Sequence, residues 1–423
     1  MNRLDYAAIG ETLYTRTLPN GLPVFVLRKK GLRKSFAAFA ARYGGADRRF
    51  RLDGRMHDTP AGIAHYLEHK MFDMPDGSAM ARLDANGASP NAFTSDAMTL
   101  YHFECTSRFD ENLRELLSFV STPYFTDESV AKEQGIIAQE IRMYEDSPDF
   151  RLYINLMRSL FEHSALRDGV AGTVESIAEI TPELLYNCYR AFYRPSNMAL
   201  AVVGDVDPDA VAEAAEALTG GERQDRPDVD YGAAESPEPL AGCIEEAMAV
   251  SMPQFAAGLK TGPAVYGENA LRERMRSSMA LKCLVGRSTG FYNRLYANGL
   301  INSEFSVDAD SAAGESFVIF GGESSDPDAV ADAIRAEIGR VAAGGFDEAF
   351  FARQKKASYG GRIRALGNFE GLAISLIEGC FNGYQPLDAF SVLESLTADE
   401  CAAWLRERLA ADRMALSVIR PRD

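Results

Sequence analysis

The sequence predicts an α+β protein that contains an internal duplication. Three observations carry that expectation. First, ITPELLYNCYRAFYRPSNMALAVVG at residues 180–204 and LTADECAAWLRERLAADRMALSVIR at residues 396–420 read alike: a Thr N-cap opens an amphipathic helix, and a short apolar strand follows. Second, Met414 follows Met198 by 216 positions, and FAAGLKTG at Phe255 follows FAARYGG at Phe39 by the same interval. Two matches at one offset point to duplication, and so long a period reads as two domains rather than a solenoid. Third, short strands (PVFVL, FAAFAARY, TLYHFEC) cluster early in the half and helices dominate later, which is an α+β pattern rather than regular βαβ alternation.

The segment GGERQDRPDVDYGAAESPEP, residues 220–239, is rich in Gly, Pro and Asp and has no periodicity, so it is the natural linker. It divides the chain into domains at 1–219 and 240–423. The length of 423 residues suits two or three domains, and 24 Phe with 17 Tyr can fill a sizeable core. No apolar run reaches the roughly 18 residues that span a bilayer. The opening MNRLDYAAIGETLY lacks the apolar stretch of a secretory signal, so a cytoplasmic protein with no membrane partner is expected. None of the six cysteines forms a C-x-x-C pair, and all six are expected to be reduced, buried small hydrophobes. A formal net charge of −17 argues against nucleic acid as a partner. The glycine pairs lack the strand-then-helix context that cradles phosphate.

The chemistry concentrates in AGIAHYLEHKMF, residues 61–72, which holds two of only five histidines. Pro60 suits a helix start. On a helix, His65 and His69 lie one turn apart on one face, with Glu68 bordering it. Two imidazoles so placed can hold zinc, and Glu68 could take a proton from water at the metal. The same spacing also suits two surface histidines flanking an acid on a solvated helix. Catalytic zinc takes three protein ligands, so a third is needed. The best source is TDESVAKEQGIIAQEIRMYEDSPDF, residues 126–150, capped by Thr126 and stopped at Ser147-Pro148. There Glu133 and Glu140 share a face, and Ile136 with Ile137 between them suggests that this face meets the core. Two carboxylates on an apolar-flanked stripe invite a cation. A surface acid stripe is the other reading.

H-Y-L-E-H is the inverted zincin motif, H-x-x-E-H. With E-x6-E following some 65–72 residues later, the chain resembles the M16 metallopeptidases over its whole length, and most of all the bacterial YmfH-like branch. TLPNGLPVFVL, NGASPNAFTSDAMTLYHFEC, KEQGIIAQEIRMYEDSPDFRLY and AGTVESI carry the likeness further. The resemblance implies two homologous domains of the M16 metallopeptidase and LuxS-like type, each an antiparallel-rich sheet packed with helices. It implies one Zn²⁺ per chain, with His65, His69 and Glu140 as ligands, Glu68 as general base, and Glu133 as the second acid supporting the site. It gives Asn91, Ala92, Phe93 and Thr94 the role of an edge strand that pairs with an extended peptide, as an unpaired edge physically can; an ordinary edge strand is the other reading. The implied activity is zinc-dependent hydrolysis of peptides or unstructured segments in a closed chamber.

The second half carries no such motif. At the 216-residue offset His65, Glu68 and His69 become Leu281, Leu284 and Val285, and no histidine follows His163. A further departure concerns the Arg and Tyr, seven positions apart, that M16 enzymes supply from the second domain to steady the developing oxyanion. In FYNRLYANGLINSEFSV, residues 291–307, Ile301 stands seven positions after Arg294, which reads as a surface helix residue. Tyr296 sits near the expected Arg and Phe305 near the expected Tyr. The expected active species is therefore a dimer, in which a related M16 subunit brings the Arg/Tyr pair and this one brings zinc, a division resembling that of mitochondrial processing peptidase. A non-catalytic scaffold or regulatory subunit of the same fold is the alternative.

Overall fold

A computed structural model describes residues 1–422. The chain forms two compact units, and neither is a continuous stretch. The first comprises Met1–Ile141, Gly169–Tyr231 and Ile363–Leu387; the second comprises Arg142–Asp168, Gly232–Arg362 and the C-terminal stretch from Asp388. The linear division at 219 and 240 therefore differs from these units. The segments 142–168 and 363–387 each belong with the sheet of the other half.

The first unit is built on a seven-stranded sheet. Its strands are β1 (Asn2–Tyr6), β2 (Glu11–Thr17), β3 (Pro23–Arg28) and β4 (Ser35–Ala41); β5 (Arg49–Leu52) and β6 (Arg55–Asp58) form a separate hairpin, and β7 (Asp73–Met74) and β8 (Gly77–Ser78) a short ribbon. The sheet is completed by β9 (Ala88–Thr94), β10 (Thr99–Cys105) and β11 (Met198–Gly204), in the order β1-β2-β3-β11-β4-β10-β9. Only the β3–β11 pair is parallel. Strand β4, SFAAFAA, is buried along its whole length, so both faces of the sheet are covered. On one face Phe36, Ala38 and Ala40 pack with Leu13, Leu27 and Leu100 against Phe369, Ala373, Leu376 and Ile377 of the helix Phe369–Asn382. On the other lies the helix Phe109–Val120, which buries Leu113, Leu116, Leu117 and Val120.

The second unit repeats this plan. Its strands are β12 (Cys243–Met248), β13 (Gln254–Pro263), β14 (Ser306–Ala312), β15 (Glu315–Glu323) and β16 (Ala415–Pro421), in the order β12-β16-β13-β15-β14. This matches β3-β11-β4-β10-β9 strand for strand, and again the first pair alone is parallel. Its covering helix is Pro148–Leu160, whose Leu156 and Leu160 close on Gly258 so tightly that a Cβ there would meet both at 3.0 Å. The helices opened by Thr181 and Thr397 have the expected caps, each hydroxyl accepting from the backbone N–H three residues on.

The linker stretch is tied down by main-chain bonds, and one expectation, that of six buried cysteines, needs correction. Val229 bridges to Phe50, the N–H groups of Arg51 and Asp230 bond to Asp228 and Arg49 carbonyls, and the Glu235 carboxylate accepts from the N–H groups of Glu162, His163 and Ser164. A Gly/Pro/Asp-rich stretch can still donate and accept main-chain bonds, and composition does not register this. Of the cysteines, Cys243 is exposed and Cys380 half-buried, while the other four are buried; all six are free thiols. No helix among the described residues is long and apolar enough to cross a membrane.

The helix Phe369–Asn382 completes the first unit's core, so trimming it is expected to destabilise that unit strongly. Ile377 is fully buried. Ile377→Ala is expected to lower unfolding free energy by about 2–5 kcal/mol in urea titration; a loss under about 0.5 kcal/mol, the size typical of a surface change, would contradict this packing.

Candidate metal centre

Two helices of the first unit build the site. The helix α1 (Ile63–Met71) begins after Gly62, which takes φ 92° at the N-cap. A Cβ there would meet the Ala171 carbonyl oxygen at 2.5 Å, so both conformation and space require glycine. Within α1, Ile63, Ala64, Tyr66, Leu67 and Met71 are buried, and this fixes the rotation that presents His65, Glu68 and His69 together. The long helix Asp127–Glu145 supplies Glu133 and Glu140; Asp127 and Glu128 lie in its first turn, where acids suit the helix dipole, and Thr126 Oγ1 accepts from Ser129 N–H. Two polar pins hold this helix to α1. The Tyr66 hydroxyl donates to the Val130 carbonyl at 2.5 Å, and the buried Lys70 ammonium donates to the Ser129 carbonyl at 3.2 Å while also pairing with Asp73. Neither pin was legible in the sequence, because nothing local links residue 66 or 70 to residue 130 or 129.

His65, His69 and Glu140 each offer a ligand atom, and these three atoms lie within 4.8 Å of one another. His65 Nε2 is 3.7 Å from Glu140 Oε1, and His69 Nε2 is 3.4 Å from Glu140 Oε2. A tetrahedral ion with bonds of about 2.0–2.2 Å spaces its donors by roughly 3.3–3.6 Å, so this donor set fits zinc. The other ring nitrogen of His69 supports the same assignment. Its Nδ1 lies 3.0 Å from Glu133 Oε1, which places the proton on Nδ1 and leaves Nε2 bare to ligate. Glu133 thus meets the ring nitrogen of His69 opposite the one that faces Glu140. Glu68 is nearly buried, and its Oε2 accepts from the Thr94 hydroxyl at 2.6 Å.

Thr94 ends β9, the outermost strand of the sheet, whose other edge has no strand partner among the described residues. Asn91, Ala92 and Phe93 occupy the same strand, pairing across with His102, Tyr101 and Leu100. Asn91 is exposed and its side-chain oxygen accepts from the Ala92 N–H at 2.9 Å. The side chains between the two glutamates differ from expectation: Ile137 is buried but Ile136 is 50% exposed. Successive helical residues point about 100° apart, so only Ile137 reaches the core, and Ile136 leaves an apolar surface on the glutamate side of the helix.

Electrostatics separate the roles. Burial presses the His65 imidazole down to about 4, with His69 adding to the effect and Glu140 and Glu133 opposing it. Burial also works against charge on His69, but the Glu133 bond and the surrounding carboxylates outweigh it, so His69 ends above the ordinary imidazole value. The same bond holds Glu133 below the usual carboxylate range. Burial raises Glu68, against the Thr94 bond and His69.

In the second unit, the equivalents of the motif residues, Leu281, Leu284 and Val285, are buried on the helix Ala270–Val285. Ile301 and Phe305 are buried too, whereas Arg294 and Tyr296 are exposed on the helix Gly290–Ala297.

The duplicated α+β fold, with its two-histidine, one-glutamate cluster in the first unit alone, is that of a zinc-peptidase scaffold. The chain belongs to peptidase family M16: residues 53–174 match the family model for Insulinase (Peptidase family M16), and residues 179–358 that for the Peptidase M16 inactive domain. It is 38% identical over 428 residues to the uncharacterized zinc protease YmfH of Bacillus subtilis, covering 99% of each chain. Among solved structures, an M16-like peptidase from Alicyclobacillus acidocaldarius superposes with a TM-score of 0.94 at 34% identity, over 99% of this chain and 100% of that one. A protease from Helicobacter pylori gives a TM-score of 0.79 at 18% identity over 97% and 99% of the two chains, a likeness of fold.

Only neutral imidazoles ligate, so protons compete with the ion. Because His69 is raised and His65 depressed, His69 sets the onset of that competition, at higher pH than an ordinary histidine would. Zinc affinity measured by equilibrium dialysis is expected to fall as pH drops from about 8 toward about 5. Glu133→Gln, which removes the charge that raises His69, is expected to move the fall to lower pH. A pH profile unmoved by that change would contradict the assignment.

Proposed function

We infer that this chain is a zinc-dependent endopeptidase or oligopeptidase acting on peptides and unstructured segments. The observation that carries the reading is the three-donor cluster of His65, His69 and Glu140 with the Glu68 carboxylate beside it. Zinc, when bound, supplies a Lewis acid that polarises the scissile carbonyl and makes water acidic enough to lose a proton near neutral pH. His65, His69 and Glu140 hold the ion, and Glu133 fixes the His69 ring. Glu68 takes the proton from the attacking water and returns it to the departing amine. Strand β9 receives the peptide in extended form through main-chain bonds, which demand little of its sequence. This favours unfolded chain over folded protein as substrate. Six free thiols accord with work in the reducing cytoplasm.

Glu68→Gln is the direct test. The variant is expected to keep one zinc per chain by metal analysis and to lose turnover of a quenched-fluorescence peptide library by about 10²–10⁴-fold. Wild-type turnover by this variant would overturn the reading, as would turnover that survives complete chelation of the metal.

The second unit offers no Arg and Tyr at the family spacing, since Ile301 and Phe305 are buried apolar residues. The enzyme is therefore a dimer whose related M16 partner subunit brings that pair and helps close a chamber over the peptide. One relative, from Arabidopsis thaliana, is itself named as the beta subunit of a mitochondrial processing peptidase (27% identity over 205 residues, 47% of this chain and 36% of that one). Activity is expected to be low for the purified chain and to rise on adding the related subunit from the same host. Full activity of the lone chain would rule the division of labour out.

A further inference from the structure

Thr94 sits where two functions meet. It belongs to the edge strand, yet its hydroxyl is turned toward α1 and lies 2.6 Å from Glu68 Oε2. A threonine hydroxyl has one proton to give. Its other near neighbour is Thr99 Oγ1, 3.3 Å away and directly opposite on β10. Thr99 is fully buried and donates its own proton to the Tyr43 carbonyl at 2.9 Å. Thr99 therefore has no proton left for Thr94. The proton of Thr94 goes to the shorter, charge-assisted bond with the carboxylate. With its own proton given to the Tyr43 carbonyl, Thr99 makes no hydrogen bond that would compete for the Thr94 proton, which is committed to Glu68.

A glutamate on a helix has three rotatable bonds, and nothing in α1 itself selects the rotamer that faces the metal ligands. The Thr94 bond occupies one oxygen and leaves Oε1 as the atom that can meet a water. Resting on the peptidase reading, we propose that Thr94 is the positioning residue for Glu68, so that one residue both ends the strand on which the peptide is laid and aims the base at its scissile bond. Its role is not that of a main-chain anchor alone, because the side-chain hydroxyl is committed to Glu68 and only the backbone of Thr94 remains to a substrate.

The test uses the full chain, with its partner subunit if turnover requires one. Thr94→Val keeps the shape and removes the hydroxyl. It is expected to lower kcat on the order of 10²-fold, the cost of a misaimed catalytic group, while KM and zinc content stay within about twofold. Thr94→Ser restores the donor and is expected to recover most of kcat. Thr94→Ala serves the same purpose if the valine variant folds poorly. In the Glu68→Gln background, Thr94→Val is expected to leave the affinity for an uncleaved peptide unchanged. A raised KM with unchanged kcat would reduce Thr94 to a substrate contact and overturn the proposal. If no peptide is cleaved even by wild type, the peptidase reading fails separately, and a crystal structure of Thr94→Val still decides the positioning role. A Glu68 carboxylate that has swung from its present place supports it, and one that has not moved overturns it.

Discussion

The clamp between α1 and the helix Asp127–Glu145 is the constraint on which the site depends. It gathers Glu68, Glu133 and Glu140 around two imidazoles, a grouping with strong self-repulsion among carboxylates and a desolvation cost of several kcal/mol for each one left unpaired. The Tyr66 and Lys70 bonds to the backbone at 129–130 hold the two helices at the separation that a small cation can bridge. Lys70, with no solvent exposure, also brings a positive charge near Glu133. The oppositely shifted histidines follow from the same crowding: His65 is buried without a hydrogen-bonding partner for Nδ1, whereas His69 leans on Glu133.

The second unit shows what the scaffold does without that chemistry. Five strands keep the order and the single parallel pair of the first unit. Yet at the matching helical positions Leu281, Leu284 and Val285 turn inward and enlarge the core. One topology thus presents polar and charged side chains in one copy and apolar filling in the other, which is why the fold alone does not assign a reaction.

Much of this was legible in the sequence because the signals are local or repeat at a fixed offset. The Thr181 and Thr397 caps, the strands after Met198 and Met414, and the one-turn spacing of His65 and His69 need only the helical and strand periods. The pairing of Glu140 with residues 71 and 75 positions earlier needed the family resemblance, since spacing alone left Glu133 and Glu140 equivalent. What separated them was the Glu133 bond to His69 Nδ1, a fact of three dimensions. Ile136 departs from its neighbour Ile137 because adjacent helical residues point about 100° apart, so adjacency in sequence does not place both in the core. The exchange of covering helices was hidden for a related reason: the offset of 216 gives the copies their alignment but not which sheet each helix covers.

That exchange shapes how the protein can be made. When Tyr231 has left the ribosome, the strands of the first sheet exist, but the apolar face around Leu13, Phe36 and Ala38 still awaits the helix Phe369–Asn382. At about 5–20 residues per second, translation leaves that face bare for on the order of ten seconds or more. The nascent chain must cross that interval either shielded by a chaperone or held in a loosely packed state, and the unit that carries the two-histidine cluster cannot mature before the late helix Phe369–Asn382 is made.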